Sequence, residues 1–244
     1  MNKNNSSLAI SEVDIEFKDV VFKVKNRIIF DRLSCSLDKS SITVILGYNG
    51  VGKTAFLRMI SGLSYPDRGA VKLTTNSEKL LFHNVTMLFH KPIMLNRSVW
   101  SNIIYGLKRS AIDKSEVSHF IREARIEHLL KRPAKEISAG EQQRVAFVRA
   151  LARRPRVLLL DEPTSNLDPF SLNVIEKLIK KINSRGIKIV MVTHNIEQAE
   201  RLAGEIIFLQ DGRILRQSKK SQFIQIKEQS ILQRFALGKE LYND

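Results

Sequence analysis

Residues 47–54 bring glycines, a lysine and a hydroxyl side chain together in the sequence GYNGVGKT. This is the G-x-x-x-x-G-K-[ST] pattern, in which glycines let the backbone curl so that successive N–H groups point at phosphate oxygens. Lys53 would reach the outer phosphates, and the Thr54 hydroxyl is of a type that binds Mg²⁺. The pattern therefore predicts a nucleotide-binding loop. Its predicted contact residues are Gly47, Asn49, Gly50, Gly52, Lys53 and Thr54.

A second candidate group follows the apolar run VLLL at 157–160, where Asp161 and Glu162 stand side by side. Asp161 suits a magnesium site, and Glu162 could orient or deprotonate an attacking water. On its own this signal is weak, since hydrophobic strands commonly end in an acidic turn. Because parallel strands place their carboxyl ends on one edge of a sheet, we expect this pair to lie beside Lys53.

A serine precedes a helical pattern in the segment 137–144, which reads ISAGEQQR. One interpretation is an ordinary capping box, with Ser138 at the helix start and Glu141 three residues later. The other uses the same geometry, since a helix N-terminus with small residues is an open anion-binding site. The residues alone leave both interpretations open.

Strand and helix signals alternate along most of the chain and predict the elements that position these residues. Such alternation implies a parallel sheet covered on both faces. The charged, helical stretch at about 93–140 interrupts the alternation and is predicted to be an inserted helical subdomain. Strands are expected at 41–46, 85–89, 157–160, 187–192 and 205–210, helices at 55–62, 139–153, 170–184 and 196–203, a hairpin or meander at 13–37, and one or two amphipathic helices after 216.

The composition excludes several classes of protein. Lys and Arg number 40 against 25 Asp and Glu, and the net charge of +15 favours an anionic partner or reflects a lysine-rich solvated surface. A single cysteine, Cys35, excludes an internal disulfide and a cysteine-based zinc cluster. No run approaches the ~18 apolar residues of a membrane span, and the start MNKNNSSL lacks the core of a secretion signal. We expect an intracellular protein that needs partner subunits for any membrane role.

The order of these motifs resembles that of the ABC-type ATPases. The loop at 47–54 is similar to Walker A, 138–142 to the signature, 158–162 to Walker B and 165–168 to the D-loop, while His194 matches the switch histidine. The resemblance extends over most of the chain. It implies an α/β fold with a P-loop NTPase (RecA-like) core, a mainly parallel sheet, an N-terminal antiparallel β subdomain and an inserted α-helical subdomain.

The same resemblance implies a single ABC ATPase domain over 1–244. Its core and N-terminal β part would occupy about 1–92 and 145–216, and its helical subdomain about 93–144. A helical tail would occupy 217–244.

The resemblance also implies how the site works. Two copies would pair head to tail, with ATP and Mg²⁺ between the Walker A motif of one and the signature of the other. Ser138 and Gly140 would contact the γ-phosphate in trans, and Asp168 would link the two sites. Glu162 would polarise the attacking water, while His194 would hold the γ-phosphate. The implied catalytic residues are Lys53, His90, Glu162 and His194, and the implied metal contacts are Thr54, His90 and Asp161.

This chain departs from the family pattern at three positions. His90 occupies the place of a glutamine that contacts Mg²⁺ and water. Val24 stands where an adenine-stacking aromatic residue is expected, so the predicted adenine contact is aliphatic. Ala139 replaces a signature glycine, and a methyl group at the first helical position is predicted to be tolerated.

Two classes of function fit these motifs: the energy-supplying subunit of a membrane importer, and a soluble ABC ATPase acting on nucleic acid or ribosomes. Only 48 residues separate His90 from Ser138, which suits the compact helical subdomain of an importer subunit. The segments 91–107 and 235–241 are most similar to tungstate-type oxyanion importers, with phosphate, molybdate and amino acids as alternative solutes. The implied partners are permease subunits and, indirectly, a solute-binding protein, at the cytoplasmic face of the membrane, and nucleic acid is not expected.

Overall fold

The computed structural model describes residues 12–75, 78–107 and 113–226. The strands in chain order are β1 (Val13–Val24), β2 (Arg27–Ser36), β3 (Thr43–Leu46), β4 (Arg68–Thr75), β5 (Glu78–Lys79), β6 (Val85–Leu88), β7 (Val157–Asp161), β8 (Lys188–Val192), β9 (Glu205–Gln210) and β10 (Arg213–Lys219). The helices are α1 (Lys53–Ile60), α2 (Val99–Ile103), α3 (Lys114–Glu123), α4 (Ala139–Leu151), α5 (Pro169–Ser184), α6 (Ile196–Leu202) and α7 (Lys220–Ile226).

A six-stranded sheet in the order β10-β9-β3-β8-β7-β6 forms the centre of the fold. Its strands are parallel except for β10, which pairs with β9 in an antiparallel hairpin. All residues of β3, β7 and β8 are buried, because helices or a second sheet cover both faces. The predicted alternation of strands and helices is therefore confirmed.

Side chains alternate between two hydrophobic cores along each central strand. In β7, Leu158 and Leu160 face the core formed with α2 to α7, while Val157 and Leu159 face the core formed with α1 and the N-terminal sheet. This alternation follows from the two-residue period of a strand. The central sheet is consequently packed on both faces, and this packing positions its carboxyl edge.

A four-stranded antiparallel sheet, β2-β1-β4-β5, covers α1. The predicted hairpin at 13–37 is confirmed as β1 and β2. The sequence predicted no strand at 68–79, where β4 pairs with β1 and β5 pairs with β4 to complete this sheet. The expected α/β class, with a mainly parallel core sheet and an antiparallel N-terminal part, is borne out.

Four helical segments lie in the described chain between β6 and β7, where the helical insertion was predicted. They comprise α2, α3, a 3-10 helix at Glu127–Leu129 and α4. Asp113 caps α3 by accepting hydrogen bonds from the backbone of Ser115 and Glu116, and Ser98 caps α2. The bounds of the three subdomains remain predictions.

The helical tail expected from residue 217 begins later than predicted. β10 continues to Lys219, because it pairs along β9 across the Asp211–Gly212 turn, and α7 starts at Lys220. Phe223 on α7 is buried in the larger core. The rest of the predicted tail, 227–244, lies outside the described residues. Across the described ranges, the helices are too short or too polar to cross a bilayer.

Candidate functional site

The phosphate loop leaves β3 and enters α1, as its sequence requires. Gly52 caps α1 with φ 106°, a backbone conformation that glycine adopts without strain. A Cβ atom there would lie 2.8 Å from Ile29 Cγ2 and from the ring of Phe30. Glycine is therefore needed at this position both for its backbone conformation and because β2 packs directly against the loop.

Lys53 is buried at the centre of this loop. Its Nζ donates to the backbone carbonyl of Gly47 at 2.7 Å and to that of Tyr48 at 2.9 Å. Burial lowers the pKa of Lys53, while the nearby carboxylates of Glu162 and Asp161 oppose that effect. The loop thus folds around a lysine whose charge faces the acidic strand end.

Thr54 connects the loop to β7. Its hydroxyl donates to the Asp161 carboxylate, with Oγ1 3.0 Å from Oδ2 and 3.2 Å from Oδ1. Burial raises the pKa of Asp161, and the Glu162 charge adds to that effect, while the Thr54 hydrogen bond opposes it. The expected meeting of the phosphate loop with the acidic pair occurs at the carboxyl edge of the sheet.

Glu162 holds the second carboxylate in a strained backbone conformation, with φ 47°. Its N–H donates to the Val192 carbonyl at 3.0 Å, which fixes it to the end of β8. Oε2 accepts a hydrogen bond from Ser165 Oγ at 2.8 Å and lies 3.2 Å from His194 Nδ1. Burial would raise the pKa of Glu162, but these hydrogen bonds lower it below its ordinary value, so the side chain is ionised near neutral pH.

His90 approaches the same carboxylate from the end of β6. Nδ1 lies 3.9 Å from Glu162 Oε2, too far for a hydrogen bond. Among the described residues this buried nitrogen has no hydrogen-bond partner. The side chain of His194, by contrast, is 57% exposed. Two imidazoles therefore flank Glu162, where the sequence predicted catalytic roles for both.

The predicted signature residues form a second cluster on α4 and at the start of α5. Ser138 and Glu141 form the capping box, with Ser138 N donating to Glu141 Oε2 at 2.8 Å. Asp168 caps α5 and accepts from the Ser171 N–H at 2.9 Å. A Cβ on Gly140 would lie 2.5 Å from Ser171 Oγ and 2.9 Å from Asp168 Oδ2, so glycine permits the two helices to approach closely.

Three polar residues hold the turn at 163–165 that follows Glu162, and the sequence analysis gave none of them this role. Ser165 binds Glu162 as described, and buried Gln143 on α4 donates from Nε2 to the Pro163 carbonyl at 3.0 Å. Gln198 on α6 donates to Thr164 Oγ1 at 2.5 Å. Ser165 lies in the D-loop motif, but the two glutamines have no local signal, because their partners are about 20 and 34 residues away.

Val24 lies at the end of β1 and is 48% exposed. It precedes the hairpin turn that leads to Ile29 and Phe30, the residues in contact with the phosphate loop. Its proposed contact with adenine is not tested by these contacts and remains a prediction. In the part of the chain that the structure describes, no group of three His, Cys, Asp or Glu is already arranged to hold a metal.

The fold and the site together define a P-loop nucleotide-binding domain: a glycine-rich loop between a parallel strand and a helix, beside an acidic strand end. The sequence model of the ABC transporter family matches residues 30–165, more than half of the chain. The chain belongs to this family and is an ABC transporter ATP-binding domain.

Curated proteins that are similar to this chain are named as ATP-binding proteins of uptake or import systems. The chain is 40% identical over 191 residues to the tungstate uptake system ATP-binding protein TupC of Peptoclostridium acidaminophilum, covering 76% of this chain and 89% of that one. It is 33% identical to the phosphate import ATP-binding protein PstB of Mycoplasmoides gallisepticum, covering 78% of this chain and 65% of that one. It is 32% identical to the methionine import ATP-binding protein MetN 1 of Acinetobacter baylyi, covering 75% and 55% respectively.

Solved structures share the fold at low sequence identity. An ATP-binding subunit of an ABC transporter aligns with TM-score 0.78 and 22% identity, covering 92% of this chain and 98% of that one. A bacterial Atm1-family ABC exporter with ATP bound aligns with TM-score 0.82 and 21% identity, covering 97% of this chain and 44% of that one. These likenesses establish the fold.

Proposed function

We propose that this chain hydrolyses ATP as the energy-supplying subunit of a prokaryotic ABC importer for tungstate or a related oxyanion. One observation carries the hydrolytic part of this proposal. Five side chains converge on one edge of the parallel sheet through the contacts described above: Lys53, Thr54, Asp161, Glu162 and His194. That set contains a phosphate-binding cation, metal-binding oxygens and an ionised carboxylate.

Each residue of this edge has a separate task in the proposal. The backbone N–H groups of 47–54 bind the phosphates, Lys53 neutralises the outer phosphate charge, and Thr54 and Asp161 hold the ion. ATP supplies the phosphoanhydride bond, and Mg²⁺ neutralises developing charge on the phosphate oxygens. Glu162 accepts a hydrogen bond or proton from the attacking water. The His194 contact at 3.2 Å orients that carboxylate.

The signature cluster completes the pocket from a second copy of the chain. Ser138 is exposed at the start of α4, whose N–H groups can bind an anion. A hollow of about 440 Å³ opens beside it, lined in part by Arg125, Arg144 and Asp168. These basic groups and this opening support binding of the partner's γ-phosphate by Ser138 and Gly140, with Asp168 at the junction of the two sites.

The permease is proposed to contact three exposed apolar side chains in the segment between β6 and α3, Phe89, Ile93 and Tyr105, which we call the coupling face. Ile93 is 79% exposed, and the other two are about half exposed. Arg149 on α4 donates to the Ile93 carbonyl at 3.0 Å, so this face is fixed to the helix that carries the signature. Trp100 packs against the larger core and is assigned to the helical interior.

The similarity to TupC and the sequence of the segment 91–107 both support tungstate as the solute. The other part of the resemblance, 235–241, lies outside the described residues. Relatives named for phosphate and methionine import supply the alternatives. The subunit would act at the cytoplasmic face of the membrane, attached through its permease.

Paired variants test the hydrolytic proposal. Glu162→Gln should bind ATP and dimerise, with turnover reduced by about 10²–10⁴-fold, because the water loses its base. Lys53→Ala should lose nucleotide affinity. Equilibrium ATP binding, sedimentation and phosphate release distinguish these effects, and full hydrolysis by either variant would contradict the assigned roles.

The solute is tested in a reconstituted complex of this chain, its permease and its solute-binding protein. ATPase activity should rise when the binding protein is loaded with tungstate. Molybdate, sulfate, phosphate and an amino acid serve as the comparison solutes. Stimulation by an amino acid and not by oxyanions would reject the tungstate assignment.

An ATPase acting on nucleic acid or ribosomes is a second candidate, favoured by the net charge of +15. Cell fractionation distinguishes the two candidates. The importer subunit should pellet with membranes when its permease is coexpressed, whereas the second candidate should sediment with ribosomes or nucleic acid regardless of the permease.

A further inference from the structure

His90 brings a nitrogen atom to the edge of the sheet where the ATP-bound cation is expected. The imidazole follows β6, which pairs in parallel with β7 so that Leu88 is opposite Leu160. This register places His90 level with Glu162, and Nδ1 lies 3.9 Å from Glu162 Oε2. Asp161 directly precedes Glu162 in the chain, so the imidazole lies at the same end of the sheet as both acidic residues.

The Nδ1 atom of His90 has a capacity that the described fold does not use. It is buried, and no described residue donates a hydrogen bond to it or accepts one from it. Buried polar atoms are nearly always satisfied, and the His90 side chain is 36% exposed, so this nitrogen is free to bind a water molecule or a ligand. A neutral imidazole offers a lone pair at such a nitrogen, which is the form that ligates metals.

The oxygen ligands near His90 fit a divalent cation. The Thr54 hydroxyl and the Asp161 carboxylate already lie 3.0–3.2 Å apart. Phosphate oxygens of the nucleotide would supply further ligands. A nitrogen ligand at His90 would be the feature that separates this site from an all-oxygen one.

We propose that the imidazole of His90 is a nitrogen ligand of the divalent cation bound with ATP, and that it shifts the preference of the site from Mg²⁺ towards Mn²⁺ and Co²⁺. This inference rests on the proposed function. Mg²⁺ is a hard ion that takes oxygen ligands, whereas first-row transition ions accept imidazole with rising affinity along the series from Mn²⁺ to Co²⁺. A glutamine at this position would offer an amide oxygen and leave Mg²⁺ favoured.

The nitrogen ligand is tested by pulsed electron paramagnetic resonance on the full chain with Mn²⁺ and the β,γ-methylene analogue of ATP, whose phosphate bridge contains no nitrogen. Protein labelled with ¹⁵N-histidine should show ¹⁵N coupling to Mn²⁺ in place of ¹⁴N coupling. His90→Gln should lose this coupling. His194→Gln is the matched control, because it removes the other imidazole near Glu162, and it should retain the coupling.

Calorimetry provides an independent readout of the metal preference. The ratio of Mn²⁺ to Mg²⁺ affinity, measured with the same nucleotide analogue, should fall on the order of tenfold in His90→Gln, the lower end of what loss of a supporting contact costs a metal site. Co²⁺ should show a larger fall than Mn²⁺. His194→Gln should keep the ratio of the unmodified chain.

The possible failures are distinguishable. If the chain binds the metal–nucleotide complex but histidine labelling leaves the spectrum unchanged, or His90→Gln keeps the coupling and the affinity ratio, the inference is wrong and the proposed function stands. If the chain binds no metal–nucleotide complex, and Lys53→Ala behaves like the unmodified chain, the proposed function is wrong and the inference falls with it.

Discussion

The two ends of the central sheet carry ionisable groups of the same kinds in opposite settings. At the carboxyl edge, Lys53 and Glu162 lie near each other. The partly exposed His194 contacts Glu162, and His90 Nδ1 lies nearby without a hydrogen-bond partner among the described residues. At the amino edge, Lys188 and Glu205 begin β8 and β9, and both are buried. Since β8 has five residues, roughly 13 Å of strand separates the two ends.

The amino-edge cluster, defined as Thr43, Lys188 and Glu205, is closed by internal hydrogen bonds. Lys188 Nζ donates to the Ser41 carbonyl at 2.6 Å and to Thr43 Oγ1 at 2.7 Å. The Thr43 hydroxyl in turn donates to Glu205 Oε2 at 2.8 Å. Gln217 on β10 donates to the other carboxylate oxygen at 2.7 Å. The cation and the anion are thus bridged by a hydroxyl.

The difference between the ends indicates how structural and functional charges are separated on one scaffold. The charged groups of the amino-edge cluster are buried and joined by hydrogen bonds within the fold, so we assign this cluster to holding the strands together. The carboxyl edge keeps exposed or unpartnered atoms, since ligand binding requires them. Charge alone therefore does not identify the site.

The same substitution at each end should separate the two roles most strongly. Lys188→Met leaves the Glu205 carboxylate buried without its bridged cation, and should lower the free energy of unfolding by about 3–5 kcal/mol. Lys53→Met should change that free energy by less than about 3 kcal/mol, the range of the two hydrogen bonds that Lys53 donates, while ATP hydrolysis falls at least about 10²-fold. Urea unfolding and phosphate release measure both quantities.

Thr43→Val keeps this comparison testable if Lys188→Met does not fold. It removes only the bridging hydroxyl and should lower stability by about 1–3 kcal/mol, with hydrolysis per folded molecule unchanged. Equal losses of stability at Lys53 and Lys188 would contradict the division into functional and structural ends.

Sequence reasoning succeeded at the carboxyl edge, because phosphate chemistry demands particular residues at fixed short spacings. The approach of the acidic pair to the phosphate loop followed from one motif, one strand and the geometry of parallel sheets. The amino-edge cluster had no such signal. Lys188 and Thr43 are 145 residues apart, and each reads locally as the polar first residue of a strand.

The strands that were missed show a different limit. β4 pairs with β1 across a long stretch of chain, so local pattern alone did not reveal it. β5 has only two residues and pairs with β4, so it is too short to show a strand pattern. β10 did have a local signal. Asp211 and Gly212 both have positive φ, 48° and 73°, as Asp-Gly hairpin turns require, and the apolar run before them continues into β10.

A pH-dependent contribution to stability is expected from Lys188 at the amino edge. Burial lowers the pKa of Lys188 from its ordinary 10.5 to about 8, although Glu205 and Asp38 oppose the shift. Between these two pH values the unfolded chain binds more protons than the folded one, so the free energy of unfolding rises with pH across this window. The rise is at most on the order of 3 kcal/mol, from the energy of a pKa shift.

Urea unfolding at pH 7.5, 9 and 10.5 measures this rise, with Lys188→Met as the reference that removes it. The free energy of unfolding of the unmodified chain, relative to that of the variant, should increase between pH 7.5 and pH 10.5. Should the variant not fold, the ¹³Cε signal of Lys188 should titrate near pH 8 in the unmodified chain. If the difference in unfolding free energy stays constant with pH, or if Lys188 titrates near 10.5, then burial does not disfavour the charged form of this lysine.

The smallest change in stability is expected at Ser138, which combines features of both ends: its hydroxyl is satisfied by the capping box, yet it is exposed. Ser138→Ala should cost about 1 kcal/mol of stability, because a cap is lost. Ser138→Asn and Ser138→Asp should both retain the cap, so their unfolding free energies should stay close to that of the unmodified chain. The two variants differ by one negative charge.

ATP hydrolysis then separates the two interpretations that the sequence left open. If the start of α4 binds a partner's γ-phosphate, the carboxylate of Ser138→Asp repels that anion, and hydrolysis should fall well below that of Ser138→Asn. If Ser138 is only a cap, the two variants should hydrolyse ATP equally. Equal rates would move Ser138 to the structural side of the comparison, and a large gap would join it to the carboxyl edge as the second half of one divided site.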